Sequence, residues 1–195
     1  MKELPDKKFD VIYADPPWSY EEDWGNGSNE HTYETMSIQQ IKYMPVEEIA
    51  KDKSHLYLWV TNPFLKEGLE VVESWGFEYK TTITWLKKYS NGKPEMGMGY
   101  YFRGCTEHII FATKEKKKTE RNDVRNFFEA VNPATSNGKG LHSQKPEKAR
   151  KIIEKMSSGD DRIELFARKN PDGWTAWGDE AQGNRQDKLS FSKQN

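Results

Sequence analysis

Short apolar runs separated by polar stretches carrying Gly, Pro and Asn pattern the chain from Phe9 onward. Phe9 to Ala14 (FDVIYA) is apolar, aromatic and β-branched, and it is closed by Asp15 and a Pro-Pro pair. Two prolines can neither continue a hydrogen-bonded ladder nor enter a helix directly, so the run predicts a buried strand with a polar loop at its carboxyl end. Leu56 to Val60 (LYLWV) predicts a second buried strand, and Thr61-Asn62-Pro63 supplies a helix start with proline in the first turn. Leu65, Leu69, Val72 and Trp75 then recur at helical spacing, with Gly76 placed to stop the helix. Phe77 to Leu86 and His108 to Thr113 are strand-like, and the Gly, Lys and Tyr-rich segment between them, 87–104, is longer than a hairpin needs. Phe127 to Val131 predicts a short strand. Pro146 opens a helix whose Ala149, Ile152, Ile153 and Met156 share one face, Gly159 ends it, and Arg162 to Phe166 (RIELF) reads as a further strand.

Strands alternating with helices predict an α/β fold, a largely parallel central sheet with helices on both faces. Ligands of such sheets gather beyond the carboxyl ends of the strands, where Asp15 and Ala167-Arg168 fall. Ser37 and Gln40 form a capping-box pattern, while 21–31, rich in Gly, Asn and acid, reads as a mobile loop. Residues 1–180 are expected to form one domain, and the polar stretch 181–195 a disordered tail.

Composition narrows the classes. A hydrophobic fraction of 34% is low, but 7 Trp, 9 Tyr and 9 Phe supply bulky groups that disordered chains lack. The net charge of -1 excludes a generally basic surface, so any grip on nucleic acid must come from local patches. The single cysteine, Cys105, excludes an internal disulfide, and with four scattered histidines it points to a metal-free, cytoplasmic protein. No apolar run has the length of a signal peptide or a membrane span.

Asp15-Pro16-Pro17-Trp18 carries the clearest chemistry. The prolines freeze an acid and an indole at the rim of the sheet. An exocyclic amine on a purine is a poor nucleophile because its lone pair is delocalised into the ring. Accepting its two N–H bonds favours a tetrahedral nitrogen, and the Asp15 carboxylate and the Pro16 carbonyl are two such acceptors. Trp18 would then stack on the base. The same four residues also fit a strand-ending turn, with Asp15 capping the backbone and Trp18 packed in the core.

An apolar strand leading into DPPW, then YETM at 33–36, LYLWVTNPF, TTITWLKK, TEHIIFATK, HSQKPEKARKIIEKM and RIELFARK ending in WTAWGDE, resembles the MT-A70 family of adenine methyltransferases from about residue 9 to about 180. The resemblance implies a Rossmann-like class I methyltransferase fold with permuted motif order, using S-adenosylmethionine and no metal. It assigns Asp15, Pro16, Pro17 and Trp18 to the catalytic loop, with Asp15 also close to the cofactor. It assigns Tyr33 and Met36 to the loop that closes over the target base, and Lys145 to the cofactor's carboxylate or the incoming nucleotide. Phe166 and Arg168 would lie by the cofactor, with Arg168 and Asn170 near its ribose, and Asp179, where relatives commonly carry Asn, could accept from the ribose hydroxyls. A lysine just ahead of a helix start also suits an anion, because the helix dipole and the ammonium act together.

Nucleic-acid contacts are expected from Lys87, Lys88, Lys93 and Arg103 with Tyr100 and Tyr101, a mixture of cations and stacking rings. A second basic run, Lys114, Lys116, Lys117, Lys118, Arg121 and Arg125, offers phosphate contacts or simply a solvated face. The expected partner is DNA in preference to RNA, with a homodimer left open. A methyltransferase-like subunit that binds nucleic acid without catalysis is the alternative of a different class.

Overall fold

The computed structural model describes residues 3–19, 35–97, 99, 101–136 and 144–178. Seven strands form one sheet: β1 (Phe9–Ala14), β2 (Ala50–Val60), β3 (Glu78–Lys88), β4 (Thr106–Thr113), β5 (Phe127–Val131), β6 (Arg162–Leu165) and β7 (Thr175–Trp177). Their order is β5-β3-β4-β2-β1-β6-β7. Every neighbouring pair is parallel except β2 with β4 and β3 with β4, so β4 alone runs against the rest. β1, first in the chain, is therefore central, flanked by β2 and by β6 from the other end of the sequence.

Side-chain alternation along the inner strands builds two cores. Ile12, Leu56, Leu58, Val60, Ile110 and Ala112 face α1 (Ile38–Lys42) and α2 (Leu65–Ser74), meeting Ile41, Val71, Val72 and Trp75. Val11, Tyr13, Tyr57, Trp59, Ile109 and Phe111 face the opposite side, against Ala149 and Ile153 of α4 (Glu147–Met156). A short α3 (Pro133–Ser136) follows β5. The expected α/β architecture, mostly parallel with helices on both faces, is what these cores describe.

Local signals act where the sequence places them. Ser37 Oγ accepts from the Gln40 amide and Gln40 Oε1 accepts from the Ser37 amide, completing the capping box of α1. Gly76 follows α2 with φ of 76°, the left-handed conformation that a side chain disfavours. Pro146 caps α4 from outside, one residue earlier than a first-turn proline. Some features depart from the pattern. β2 extends back to Ala50, which pairs with Phe9, and a register shift before the Val11–His55 pair takes up the polar Lys51-Asp52-Lys53. The three-residue β7 was not anticipated, because Thr175–Trp177 is too short for periodicity to register.

Candidate active site

The carboxyl ends of β1 and β6 and the amino end of the reversed β4 lie at one edge of the sheet. Asp15 follows β1 on the face that carries Tyr13, Glu107 enters β4 on the face that carries Ile109, and Lys145 stands two residues ahead of α4, which covers that face. These three meet. Lys145 Nζ lies 3.0 Å from Asp15 Oδ1 and 3.3 Å from Glu107 Oε2, and Lys87 Nζ lies 3.2 Å from Glu107 Oε1. Lys145 also sits 5.3 Å above the centroid of the buried Trp59 ring. The Trp59 indole N–H donates to Tyr13 Oη at 2.6 Å, which fixes that floor from beneath.

Charge states follow from this enclosure. Burial pushes the Asp15 pKa above the usual range, with Lys145 opposing and Glu107 adding to the rise. Burial alone would pull the Lys145 ammonium down, but Asp15 and Glu107 outweigh it and the net direction is upward. Burial likewise works against Glu107 ionisation, yet Lys145 and Lys87 hold its pKa below the ordinary value. The cluster therefore contains a fixed carboxylate, a fixed ammonium, and in Asp15 a carboxylate of raised proton affinity. Glu107 Oε2 is buried and lies within ion-pair range of Lys145, and among the described residues no aligned donor hydrogen-bonds to it.

The catalytic-loop backbone is held by Met36, whose N–H donates to the Pro17 carbonyl at 2.8 Å and whose carbonyl accepts from Ser19 at 3.2 Å. The Pro16 carbonyl accepts the Trp18 N–H at 2.9 Å. That bond occupies one of its two lone-pair directions, and a substrate N–H would take the other.

Trp18 requires a correction. Its indole is 8% exposed, stacks on Phe64 at 5.4 Å and 18°, and donates to the Trp59 carbonyl at 3.1 Å. Its ring contributes to the core on the α2 side and does not present a platform for a base. The proline pair sets its direction: with Asp15 facing α4, Trp18 is turned to the other face.

Beyond β6, Phe166 takes a left-handed φ of 61° and packs edge-on against Trp177 at 5.6 Å. This conformation costs a bulky residue roughly 1–2 kcal/mol, and such strain concentrates at ligand sites. Gly178 lies against the same turn, where a Cβ would come within 2.5 Å of the Ala167 carbonyl. Arg168 is half-buried and near enough to act on the Asp15 charge, whereas Asn170 is exposed. Lys88 is not brought to Asp15: it lies on the opposite face of β3 from Lys87 and pairs with Glu129. Arg103 is exposed on the segment between β3 and β4, beside Tyr101 and Phe102, which are 83% and 90% exposed. Tyr33, Tyr100 and Asp179 lie outside the described residues.

Glu107 was not assigned a role from sequence, although an acid opening an otherwise apolar strand was its available signal. His108, on the other face, hydrogen-bonds Asn62 Oδ1 at 2.8 Å and Thr84 Oγ1 at 3.1 Å, and burial lowers its pKa. It is a satisfied structural group. The second basic run lies at the far end of β4, where Lys114 pairs with Glu47, Lys117 with Asp10 and Arg121 with Asp123.

A mostly parallel sheet with charged groups gathered at its carboxyl edge defines the class of α/β proteins consistent with a methyltransferase fold. The sequence profile of the MT-A70 family matches residues 9–180, and the chain belongs to that family. It is 34% identical over 204 residues to the Type II methyltransferase M.MunI of Mycoplasma sp, covering 94% of this chain and 82% of the relative. It is 30% identical to the human N(6)-adenine-specific methyltransferase METTL4, covering 89% of this chain and 38% of that one. It is 26% identical to the N6-methyladenosine RNA methyltransferase MTA1 of Cryphonectria parasitica, covering 88% and 51% respectively. No helix among the described residues is long and apolar enough to cross a membrane.

Proposed function

We propose that the protein transfers a methyl group from S-adenosylmethionine to the exocyclic amine of adenine in DNA. The observation that carries this reading is the Asp15, Lys145 and Glu107 cluster at the carboxyl edge of the sheet. DNA is chosen because M.MunI, the Type II methyltransferase, is matched along most of both chains, whereas MTA1, the RNA methyltransferase, is matched over half its length. The motif order is read as permuted, with the catalytic strand β1 first and the β6 and β7 side of the site last.

The residues fit the cofactor's chemistry. An amino acid end carries one ammonium and one carboxylate, and the edge supplies Asp15 and the under-bonded Glu107 Oε2 for the first, Lys145 and Arg168 for the second. The strained Phe166 turn would bear on the nucleoside. When bound, the cofactor supplies an electrophilic methyl carbon whose bond electrons return to sulfur as the nitrogen–carbon bond forms. Asp15 and the free lone pair of the Pro16 carbonyl accept the two amine N–H bonds, which draws the lone pair out of conjugation with the ring. After transfer the nitrogen carries an extra proton, and Asp15, with its raised proton affinity, is placed to accept it. Lys145 stays charged and limits the cost of the nearby acids.

Incubation with labelled S-adenosylmethionine and matched DNA and RNA oligonucleotides, followed by nucleoside analysis, tests the reading. Label in N6-methyladenine of DNA is the expected result. Label confined to RNA would reassign the substrate, and no label in either would reject catalysis.

A further inference from the structure

The edge of the sheet opposite Asp15 carries a cleft of about 390 Å³, walled by Lys80, Lys116, Lys117 and Lys118 and floored by Phe111 and Thr113. Thr113 is 4% exposed, and its Oγ1 is buried with no hydrogen-bond partner among the described residues. A buried hydroxyl normally has a partner, so this one is a donor or acceptor held in reserve on the cleft wall. The loop that supplies three of the lysines is pinned: Lys114 N–H donates to the Ser54 carbonyl at 2.9 Å and Glu120 N–H to the Met156 carbonyl at 3.0 Å. Between these anchors Glu115 and Lys116 hold left-handed φ of 47° and 52°. Lys117 is committed to the fold, donating to the Ser158 carbonyl at 3.1 Å and lying 3.5 Å from Asp10, and Lys80 pairs with Glu78. Lys116 and Lys118 are exposed, and among the described residues neither makes an ion pair.

We propose that this cleft is a second contact for the phosphodiester backbone of nucleic acid, remote from the reacting base. It rests on the nucleic-acid substrate proposed above. Several lysines around an unpartnered hydroxyl suit a phosphate oxygen, which accepts from both. Thr113 and Glu107 lie on the same strand and the same face, six residues apart. That separation is roughly 20 Å at about 3.4 Å per residue. A duplex advances a comparable distance in about six base pairs, so one several times longer has the length to pass around the protein surface from Asp15 to the cleft. The chain's net charge of -1 makes local lysines the source of such a grip.

The test is the salt dependence of binding to a fluorescent duplex of about thirty base pairs, long enough to span both sites. Lys116→Asn keeps a residue tolerant of left-handed φ, and Lys118→Gln keeps a polar side chain without the charge; the double variant is expected to lower the log–log salt slope by roughly 1 to 2. Thr113→Val should weaken binding several-fold without lowering the melting temperature, since the hydroxyl it removes has no partner in the fold. An unchanged slope in the double variant would overturn the proposal. So would competition by inorganic phosphate, beyond that of chloride at equal ionic strength, that the double variant abolishes, because the cleft would then hold a small free anion. Calorimetric binding of S-adenosylmethionine to the wild-type protein is read separately, so failure of the methyltransferase reading and failure of the cleft are distinguishable.

Discussion

Lys145 Nζ lies 3.0 Å from Asp15 Oδ1, an ion pair that ties the entry of α4 to the end of β1. Glu107 reaches the same ammonium from β4, so three segments distant in sequence share one charge cluster. Its behaviour is testable at each member.

Asp15→Asn is expected to reduce methyl transfer by about 10² to 10⁴-fold, the range for losing a positioned acid–base group, while S-adenosylmethionine binding is partly retained. In the wild-type enzyme activity requires ionised Asp15, so it should fall as the pH drops through that group's raised pKa. The acid limb of kcat/KM is accordingly expected above the ordinary aspartate range. A limb at or below that range, or undiminished turnover in the variant, would contradict the assignment.

Glu107→Gln should act on Asp15 as well as on the cofactor's ammonium. The Glu107 charge raises the Asp15 pKa, so its neutralisation is expected to move the acid limb toward lower pH, with kcat reduced more than KM for nucleic acid. Stability has its own sign. The folded Glu107 pKa is depressed, so its contribution is present above the unfolded value and is lost as pH falls through the folded one. A purely structural role would change stability and leave the limb in place.

Trp18 is expected to behave as a core residue. Trp18→Ala should cost on the order of 3 to 5 kcal/mol in urea unfolding, as truncation of a buried aromatic does. Trp18→Phe keeps a ring against Phe64 and loses the hydrogen bond to the Trp59 carbonyl, a change of about 1 kcal/mol. KM for nucleic acid should be unaltered in Trp18→Phe; a large rise would restore the stacking role.

Tyr101 and Phe102 are the aromatic surface that Trp18 is not. At 83% and 90% exposed, they contribute little to folding. Stacking on bases is worth roughly 1 to 3 kcal/mol each, so Phe102→Ala should weaken nucleic-acid binding about tenfold with no change in melting temperature. Equal affinity in anisotropy titrations would exclude the loop from the interface.

His55 gives the fold a pH dependence. Its Nε2 faces the Lys117 carbonyl at 3.1 Å and must donate, so Nδ1 accepts from Ser157 Oγ at 2.8 Å, which in turn accepts from the Tyr57 hydroxyl at 2.8 Å. Burial lowers the His55 pKa to about 4 from 6.5. The unfolded chain binds the proton first, so this stability is intact above about pH 6.5 and is lost as pH falls toward 4, on the order of 3 kcal/mol in all. His55→Gln should flatten that segment of the stability profile measured by denaturant midpoints.

The sequence alone determined the elements and the central motif. β1 ends at Ala14 because Asp15 and two prolines stop the ladder; α1 starts at the Ser37 capping box; Gly76 follows α2 in a left-handed turn; and Phe127–Val131 forms a strand with the bounds its pattern implied. These are decisions among neighbours in the chain, made by backbone sterics and local hydrogen bonds. Tertiary structure decided which faces and strands meet. Alternation divides Lys87 from Lys88, but only the sheet order shows that Lys87 joins Glu107 while Lys88 turns to Glu129. Glu107 became a site residue because β4 runs against its neighbours and brings its first residues to the edge where β1 ends. Asp15-Pro16-Pro17-Trp18 was legible as a rigid loop, yet the assignment of its acid to one face and its indole to the other required the cores on both sides. Long-range packing makes that choice: buried apolar area fixes strand order, and the charged side chains go where the remaining open edge leaves room.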